Sequence, residues 1–386
     1  MEVVGLHENL PTITRVVLEH SADWFHLVRR PNAVFVRSTT IRRRCRLDVL
    51  ELVGARVSSQ RPVPRVLVKT RRSTTIVPGE PDGAGQERPR LAVRDVADDA
   101  LLELEYNGLL ALQTATQAQD PSLRCVRPLA LLADQGAMLL DYVEQPTLRA
   151  RLHRLTMRQA AAGTRGDLEQ SFSTCGRVLR RFHEQEPRLP VVRRGDEAEV
   201  RALLIQRYIE FLLPRLADPV LLEPLAELAT GTPDSGPMAM SHGDLAPRNV
   251  FAWPEGHVAI FDPMPVWLAP AYEDVARFLV ELATMALQAL SRGLAPGQRA
   301  TTRYRLAFLA GYFGDEPVPV RLLQSYEALL LLDKWASSTA RLGNTGRHDR
   351  TLRSRYYALQ SAHVQREVGR LVLAAGLISR KIGRRV

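Results

Sequence analysis

The sequence predicts an α+β fold with two lobes, a small and mostly antiparallel β lobe with one helix and a large, mainly helical lobe. Short stretches of alternating apolar and polar residues occupy much of residues 33–143. After Thr147 the apolar residues recur at helical spacing almost throughout. A length of 386 residues is ample for both lobes. We therefore expect one domain over residues 1–143 and a second over residues 144–386.

The pattern of the small lobe predicts five strands and one helix. Residues 33–52 alternate as two strands, and residues 65–70 form a third. Residues 125–133 and 137–143 predict two more strands on either side of a short turn. Between them, residues 95–113 carry apolar side chains at helical spacing, with acidic residues in the first turn.

The large lobe begins with a clearly amphipathic helix over residues 166–183. Its apolar face comprises Phe172, Cys175, Val178, Leu179 and Phe182. Further helices are predicted over residues 197–212, 220–229, 273–289, 299–313 and 319–341.

One stretch of the large lobe, residues 241–274, contains the candidate catalytic and metal-binding residues. Asp244 and Asn249 precede an apolar run, and Asp262 ends a second run after a Pro/Gly turn. Two short strands joined by such a turn predict a hairpin. A hairpin brings the residues before its first strand close to the residue that ends its second strand. We therefore expect Asp244, Asn249 and Asp262 to lie at one edge.

These three side chains suit phosphate transfer from a nucleotide. A carboxylate is needed to accept or orient the proton of the acceptor hydroxyl, and Asp244 fits that role. Asn249 and Asp262 supply hard oxygen ligands for Mg²⁺, whose other ligands are waters and phosphate oxygens.

The stretch resembles the HGDxxxxN and following (I/F)D motifs of the aminoglycoside phosphotransferase and choline kinase-like family, relatives of protein kinases. The matching residues are His242, Gly243, Asp244, Asn249 and Asp262. The resemblance implies a protein kinase-like fold, ATP or GTP as donor, and a hydroxyl acceptor such as a sugar, aminoglycoside, amino alcohol or glycan precursor. The sequence does not choose among these acceptors, or between ATP and GTP.

The same resemblance assigns nucleotide-binding residues in the small lobe. Lys69 ends the third strand, in a chain whose 52 basic residues include only three lysines. It matches the kinase lysine that contacts the nucleotide phosphates. Glu105 resembles the helix glutamate that pairs with this lysine, whereas Glu103 lies on another face of the helix. Asp141 and Val143 resemble the hinge, whose backbone binds the base.

The sequence also departs from kinases in two places. Where kinases have a glycine-rich loop, it predicts a turn over residues 37–41 that contains no glycine. This departure motivates the alternative of a catalytically inactive pseudokinase that acts as a nucleotide-binding or interaction module. Glu273 comes only eleven positions after Asp262, too close for the activation segment of a protein kinase to lie between them. Asp274 is expected to cap the next helix and to brace the loop around Asp244.

The amino-acid composition limits which binding partners and which cellular compartment we expect for this protein. The formal net charge is +10, but we find no nucleic-acid-binding signature. Three widely spaced cysteines, no apolar run long enough to span a membrane and no signal peptide favour a cytoplasmic protein. The arginine-rich tail over residues 354–386 suggests two alternatives, a helix packed on the large lobe or peripheral contact with an anionic membrane. The oligomeric state is not indicated.

Overall fold

A computed structural model describes most of the chain. The described residues are 10–41, 45–57, 63–71, 98–117, 123–157, 165–186, 192–193, 196–216, 219–230, 236–265, 267–291, 297–344 and 352–377. The chain forms two compact units. Unit 1 comprises Met1–Thr75, Val96–Gln113 and Val126–Glu144, and unit 2 comprises Ile76–Asp95, Thr114–Cys125 and Gln145–Val386. The domain boundary that we place after residue 143 stays a prediction.

The described part of the chain contains strands mainly in its first third and helices mainly after it. In chain order, as far as residue 141, the elements are α1 (Leu10–Phe25), β1 (Leu27–Arg29), β2 (Ala33–Ile41), β3 (Cys45–Val53), β4 (Arg56–Val57), β5 (Arg65–Arg71), α2 (Asp98–Gln117), β6 (Leu123–Cys125), β7 (Pro128–Leu132) and β8 (Ala137–Asp141). They continue with α3 (Leu148–Met157), α4 (Arg165–His183), β9 (Val192–Arg193), α5 (Glu197–Leu212), α6 (Leu222–Thr230), β10 (Met238–Met240), β11 (Val250–Ala252), β12 (Val258–Ile260), β13 (Trp267–Pro270), α7 (Ala271–Ala283), α8 (Ala286–Leu290), α9 (Gln298–Phe313), α10 (Val320–Asn344) and α11 (Leu352–Ala374).

Unit 1 is built on an antiparallel sheet of five strands in the order β2-β3-β5-β8-β7. Alternate residues of these strands face a small core that also takes up the apolar side of α1. The core includes Ile13, Val17, Leu50, Val66 and Leu139. The predicted mostly antiparallel sheet, with helix α2 inserted before its last strands, is therefore confirmed, and unit 1 contains α1 in addition to the one predicted helix.

The turn predicted over residues 37–41 is wrong. These residues belong to β2, and Thr39 pairs with Asp48 of β3 across the ladder. The Thr39 hydroxyl also donates a hydrogen bond to Oδ1 of Asp48 at 2.5 Å. Threonine and isoleucine favour extended backbone, and here that preference prevails over the polar character of the stretch. The link from β2 to β3 falls on residues 42–44, outside the described residues.

The single strand predicted over residues 125–133 is in fact two strands in different sheets. Leu123–Cys125 forms β6, which pairs in parallel with β12 of unit 2. Pro128–Leu132 forms β7 at the edge of the unit 1 sheet. Pro128 lacks an amide hydrogen and is therefore suited to the first position of an edge strand.

Helices form most of unit 2. The predicted apolar face of α4 is confirmed, because Phe172, Cys175, Val178, Leu179 and Phe182 are all fully buried. The single helix predicted over residues 273–289 is wrong in one respect. It ends at Ala283, where the Thr284 hydroxyl donates to the carbonyl of Val280, and α8 starts after a short break.

Two glycines allow α4 and α9 to pack with their backbones in contact. A Cβ atom added at Gly311 would lie 1.9 Å from the carbonyl oxygen of Ser173, and one added at Gly176 would lie 2.2 Å from that of Phe308. We expect Gly311→Ala to lower the free energy of unfolding by about 1–3 kcal/mol, because the helices must move apart. Helix propensity alone predicts a change of the opposite sign, about 1 kcal/mol in favour of alanine.

Urea unfolding of the variant and the wild type measures this difference. Ala310→Leu is the matched control, since Ala310 lies on the exposed side of the same helix. A Gly311→Ala variant as stable as the wild type would contradict the close packing of α4 on α9.

The basic C-terminal helix α11 buries its apolar side within unit 2. Val364, Val368, Leu371 and Val372 belong to the same core as Trp335 of α10. Those apolar residues pack in the protein core and are not available to a membrane, and the hypothesis of membrane contact stays a prediction. Among the described helices, none is long and apolar enough to cross a membrane.

Candidate active site

Lys69 and Glu105 form a buried ion pair inside unit 1. Lys69 lies on β5, and its Nζ is 2.5 Å from Oε1 of Glu105 on α2. The other carboxylate oxygen accepts a hydrogen bond from Nη2 of Arg71 at 3.2 Å. Glu103 is exposed. A buried carboxylate of this kind fixes the position of the lysine amine, which otherwise has four flexible bonds.

The backbone amides of residues 141–143, the segment of the predicted hinge, differ in what they bind. The N–H of Asp141 donates to the carbonyl of Arg127 at 2.9 Å, and that of Tyr142 donates to Arg65 at 3.0 Å. Both bonds hold the segment to the sheet of unit 1. Within the described residues the Val143 amide makes no backbone hydrogen bond of this kind. The roles of Asp141 and Val143 in binding the nucleotide base stay predictions.

The predicted hairpin in unit 2 exists and positions the other three residues. Strands β11 and β12 pair antiparallel, with Val250 opposite Ile260. The Asn249 amide nitrogen donates to the Asp244 carbonyl at 2.9 Å and to its Oδ2 at 3.0 Å. The N–H of Phe261 donates to the Asn249 carbonyl at 3.0 Å, so Asp262 follows directly at the same end of the hairpin.

Asp262 has an unusual backbone conformation. Its φ is +63°, in the left-handed region, and it is the only non-glycine residue with a positive φ among the described residues of unit 2. Such a conformation costs on the order of 1–3 kcal/mol, and residues that adopt it cluster at active sites and ligand clamps. Asp is one of the few residue types that tolerate it. The strain therefore marks the position that the motif assigns to a metal ligand.

We refer to residues 241–249 as the HGD loop. Gly243 in this loop has a φ of +75°, and a Cβ atom there would lie 2.7 Å from the carbonyl oxygen of Met264. The N–H of Met264 in turn donates to the carbonyl of His242 at 2.8 Å. The HGD loop thus touches the segment after Asp262 through its backbone, and only glycine meets both requirements at position 243.

Asp274 holds the HGD loop from α7. Its buried carboxylate accepts hydrogen bonds from the Ser241 hydroxyl at 3.1 Å and from the backbone N–H groups of His242 at 2.5 Å and Gly243 at 3.0 Å. His183 lies 3.2 Å away on α4. Burial disfavours the charged form, but the hydrogen bond with His183 and nearby positive charges prevail, so that the pKa of Asp274 falls to about 2.

The predicted bracing of the HGD loop is therefore confirmed, whereas the predicted capping of the helix is wrong. Helix α7 starts after Pro270 with no side-chain cap. The reason is that α7 begins at Ala271, so Asp274 is its fourth residue and lies inside the helix, where its carboxylate accepts hydrogen bonds from the HGD loop.

The sequence analysis missed a row of charged side chains beside Asp244. Oδ1 of Asp244 lies 2.5 Å from Nη2 of Arg248, and Nη1 of Arg248 lies 3.0 Å from Oε2 of Glu281. Oε1 of Glu281 lies 2.7 Å from Nζ of Lys334 on α10. Arg248 stands inside the HGD motif, but its partners are distant in sequence. Lysine is rare in this chain, so its presence at position 334 was the available signal in the sequence for this row.

Asn249 and Asp262 suit a hard divalent cation. Because the amide nitrogen of Asn249 donates to Asp244, its Oδ1 is the atom left to act as a ligand. A carboxylate and an amide oxygen are typical ligands of Mg²⁺, which retains water and phosphate oxygens. The described residues contain no cluster of three or more His, Cys, Asp and Glu residues that could hold a metal. The assignment of Asn249 and Asp262 as Mg²⁺ ligands stays a prediction.

The sequence model of the phosphotransferase enzyme family matches residues 83–323, more than half of the chain. The chain belongs to the phosphotransferase enzyme family. The prediction of a small-molecule kinase is thereby confirmed at the level of the enzyme class. No curated protein matches the sequence.

Solved structures similar to this phosphotransferase agree with its fold. A choline/ethanolamine kinase family protein from Mesorhizobium loti is 12% identical, with a TM-score of 0.50 over 95% of this chain and 98% of that chain. A glucosamine kinase in complex with glucosamine, ADP and inorganic phosphate is 16% identical, with a TM-score of 0.51 over 90% and 84% of the two chains. At these identities the likeness shows the fold, so the predicted α+β, protein kinase-like fold is confirmed.

Proposed function

We propose that this phosphotransferase moves the γ-phosphate of ATP or GTP to a hydroxyl group of a small molecule, with Mg²⁺ as cofactor. The observation that carries the proposal is the bonded pair of Asp244 and Asn249 at the start of a hairpin that leads to Asp262. The names of the two similar structures, a choline/ethanolamine kinase family protein and a glucosamine kinase, support a small acceptor.

The residues of the candidate site have separate roles in this reaction. In unit 1, Lys69 is positioned by Glu105 and binds the phosphates of the nucleotide, while the backbone at Val143 binds the base. In unit 2, Asn249 and Asp262 would hold Mg²⁺, which when bound would neutralise charge on the phosphate oxygens.

Asp244 orients the acceptor hydroxyl and accepts its proton. The acceptor oxygen forms a bond to the γ-phosphorus as the bond from that phosphorus to the bridging oxygen breaks. The nucleoside diphosphate leaves with the electron pair of the broken bond.

A thermal-shift titration with ATP and GTP, each with and without Mg²⁺, tests the nucleotide site. A nucleotide at about 100 times its Kd should stabilise the wild type by about 2.7 kcal/mol, and only in the presence of Mg²⁺. Asp262→Ala should abolish this shift, whereas Asp315→Ala, at an exposed turn of unit 2, should preserve it.

Two outcomes would contradict the proposal. A full Mg²⁺-dependent shift in Asp262→Ala would remove Asp262 from the metal site. No shift of the wild type with either nucleotide would favour the alternative of a non-catalytic pseudokinase, which binds partners instead of substrates.

A further inference from the structure

Four side chains of unit 2 form a row of alternating charge, which we call the charge row. It consists of Asp244, Arg248, Glu281 and Lys334, with successive N–O distances of 2.5, 3.0 and 2.7 Å. The row runs from the HGD loop across α7 to α10. It therefore sets the charge of the surface next to the carboxylate that receives the acceptor in our proposed function.

Arg248 retains capacity for a ligand. A guanidinium has five N–H donors, and its two carboxylate contacts engage one on each terminal nitrogen. The Arg248 side chain is 37% exposed and that of Asp244 is 43% exposed. A hydroxyl compound bonded to Asp244 consequently places its nearest substituents within reach of the Arg248 guanidinium.

The charge row is balanced. Burial alone would raise the pKa of Glu281, but the positive charges of Lys334 and Arg248 lower it below its ordinary value, so Glu281 remains an anion. Two carboxylates thus face two fixed cations. A cation that approaches Asp244 meets a guanidinium already bound to that carboxylate, and like charges at this range repel strongly when they are partly desolvated.

We infer that Arg248 selects against cationic acceptors, so that the substrate of this enzyme is a hydroxyl compound with a neutral or anionic group beside its reacting hydroxyl. The inference rests on the proposed function, and it narrows the acceptor class. It separates this chain from the two similar structures described above, whose names refer to choline, ethanolamine and glucosamine, compounds with a cationic nitrogen.

Asp333 is the strongest argument for the opposite charge preference. It accepts a hydrogen bond from the Tyr208 hydroxyl at 2.8 Å and precedes Lys334 on α10. A carboxylate with a neutral donor could attract an amine. The pKa of Arg277 is raised, against the effect of burial, by Glu273 first, then by Asp274 and Asp244, and least by Asp333, so Asp333 is partly compensated by Arg277. The variant Asp333→Asn therefore belongs in the test.

The test uses acceptors matched in size and opposite in charge. Glucosamine is compared with glucuronate, and ethanolamine with glycolate, at a pH where both amines are protonated. Release of ADP from Mg·ATP gives the apparent affinity and rate for each compound. We expect the wild type to favour the anion of each pair at least tenfold in kcat/KM or in apparent affinity.

Variants of Arg248 identify the residue responsible. Arg248→Ala should shift the ratio towards the amine at least tenfold, whereas Arg248→Lys keeps the positive charge and should keep most of the preference. Asp333→Asn should leave the ratio within about twofold of the wild type. Arg248→Lys is also the control for a loss of folding in Arg248→Ala.

The inference is overturned if the wild type prefers the amines or responds equally to both members of each pair, including no response to either. An unchanged ratio in Arg248→Ala, or a large change in Asp333→Asn, would also overturn it. Failure of the proposed function appears separately, as the absence of the Mg²⁺-dependent thermal shift with nucleotide.

Discussion

Replacing Asp244 with asparagine is expected to lower the rate of phosphate transfer by about 10²- to 10⁴-fold, which is the usual contribution of a general base. The amide keeps the shape of the side chain but cannot accept the hydroxyl proton. Release of ADP at saturating Mg·ATP measures the loss, with the best acceptor of the matched pairs or, without one, with water as the acceptor. Nucleotide binding should persist, because the proposed metal ligands are Asn249 and Asp262.

Asp244→Asn also removes the charge that faces Arg248, and this second effect must be separated from the first. Arg248 keeps its other carboxylate partner, Glu281, at 3.0 Å, so the local structure should hold. Asp315→Asn serves as the control for a change of one charge at an exposed position of unit 2. If Asp244→Asn also lost the nucleotide-dependent thermal shift, the role of the Asp244 carboxylate would be structural and not that of a general base.

Local patterns made most of the candidate site predictable. The spacing of Asp244, Asn249 and Asp262 is set by one loop and one short hairpin, and such geometry depends on neighbouring residues alone. Glu105 could be preferred to Glu103 because helical periodicity fixes which face each residue occupies. The pairing with Lys69 then follows from a strand and a helix of the same unit.

Contacts between distant segments could not be predicted in this way. Arg248 lies within the recognised motif, yet its bond to Glu281 spans 33 residues and depends on how α7 packs against the HGD loop. Strand β6 was merged with β7 for a similar reason. Its partner is β12, more than 130 residues further along, and alternation within one segment does not reveal which sheet a strand joins.

The stretch over residues 37–41 shows where analogy and propensity disagree. The kinase resemblance places a phosphate-binding turn there, whereas Thr39, Thr40 and Ile41 are strong strand formers. The strand prevails, with a register that continues to the pair of Ile41 with Arg46.

Replacing Asp274 with asparagine is expected to lower the free energy of unfolding by about 3–5 kcal/mol, the range for removing one partner from a buried charged network. The two HGD loop amides and the Ser241 hydroxyl all donate to this carboxylate. An asparagine amide nitrogen would place a fourth donor among them. Urea unfolding measures the loss, and activity should fall too, since the HGD loop carries Asp244.

The stability difference between the wild type and Asp274→Asn should depend on pH in a defined direction. The pKa of Asp274 is about 2 in the folded protein and 3.8 without its partners. A lowered pKa stabilises the folded state above the unfolded value, and this contribution is lost as the pH falls through the folded value. The shift corresponds to about 2.4 kcal/mol at 1.36 kcal/mol per unit of pKa.

The difference should therefore be constant near neutral pH and should narrow as the pH falls below about 4, because only the wild type has a carboxyl to protonate. Asp315→Asn should show no comparable narrowing, since Asp315 is exposed. A difference that stayed constant down to the acid unfolding of the wild type would mean that the Asp274 charge contributes little. The HGD loop would then be held by shape, through Gly243 and its contact with Met264, and not by the carboxylate.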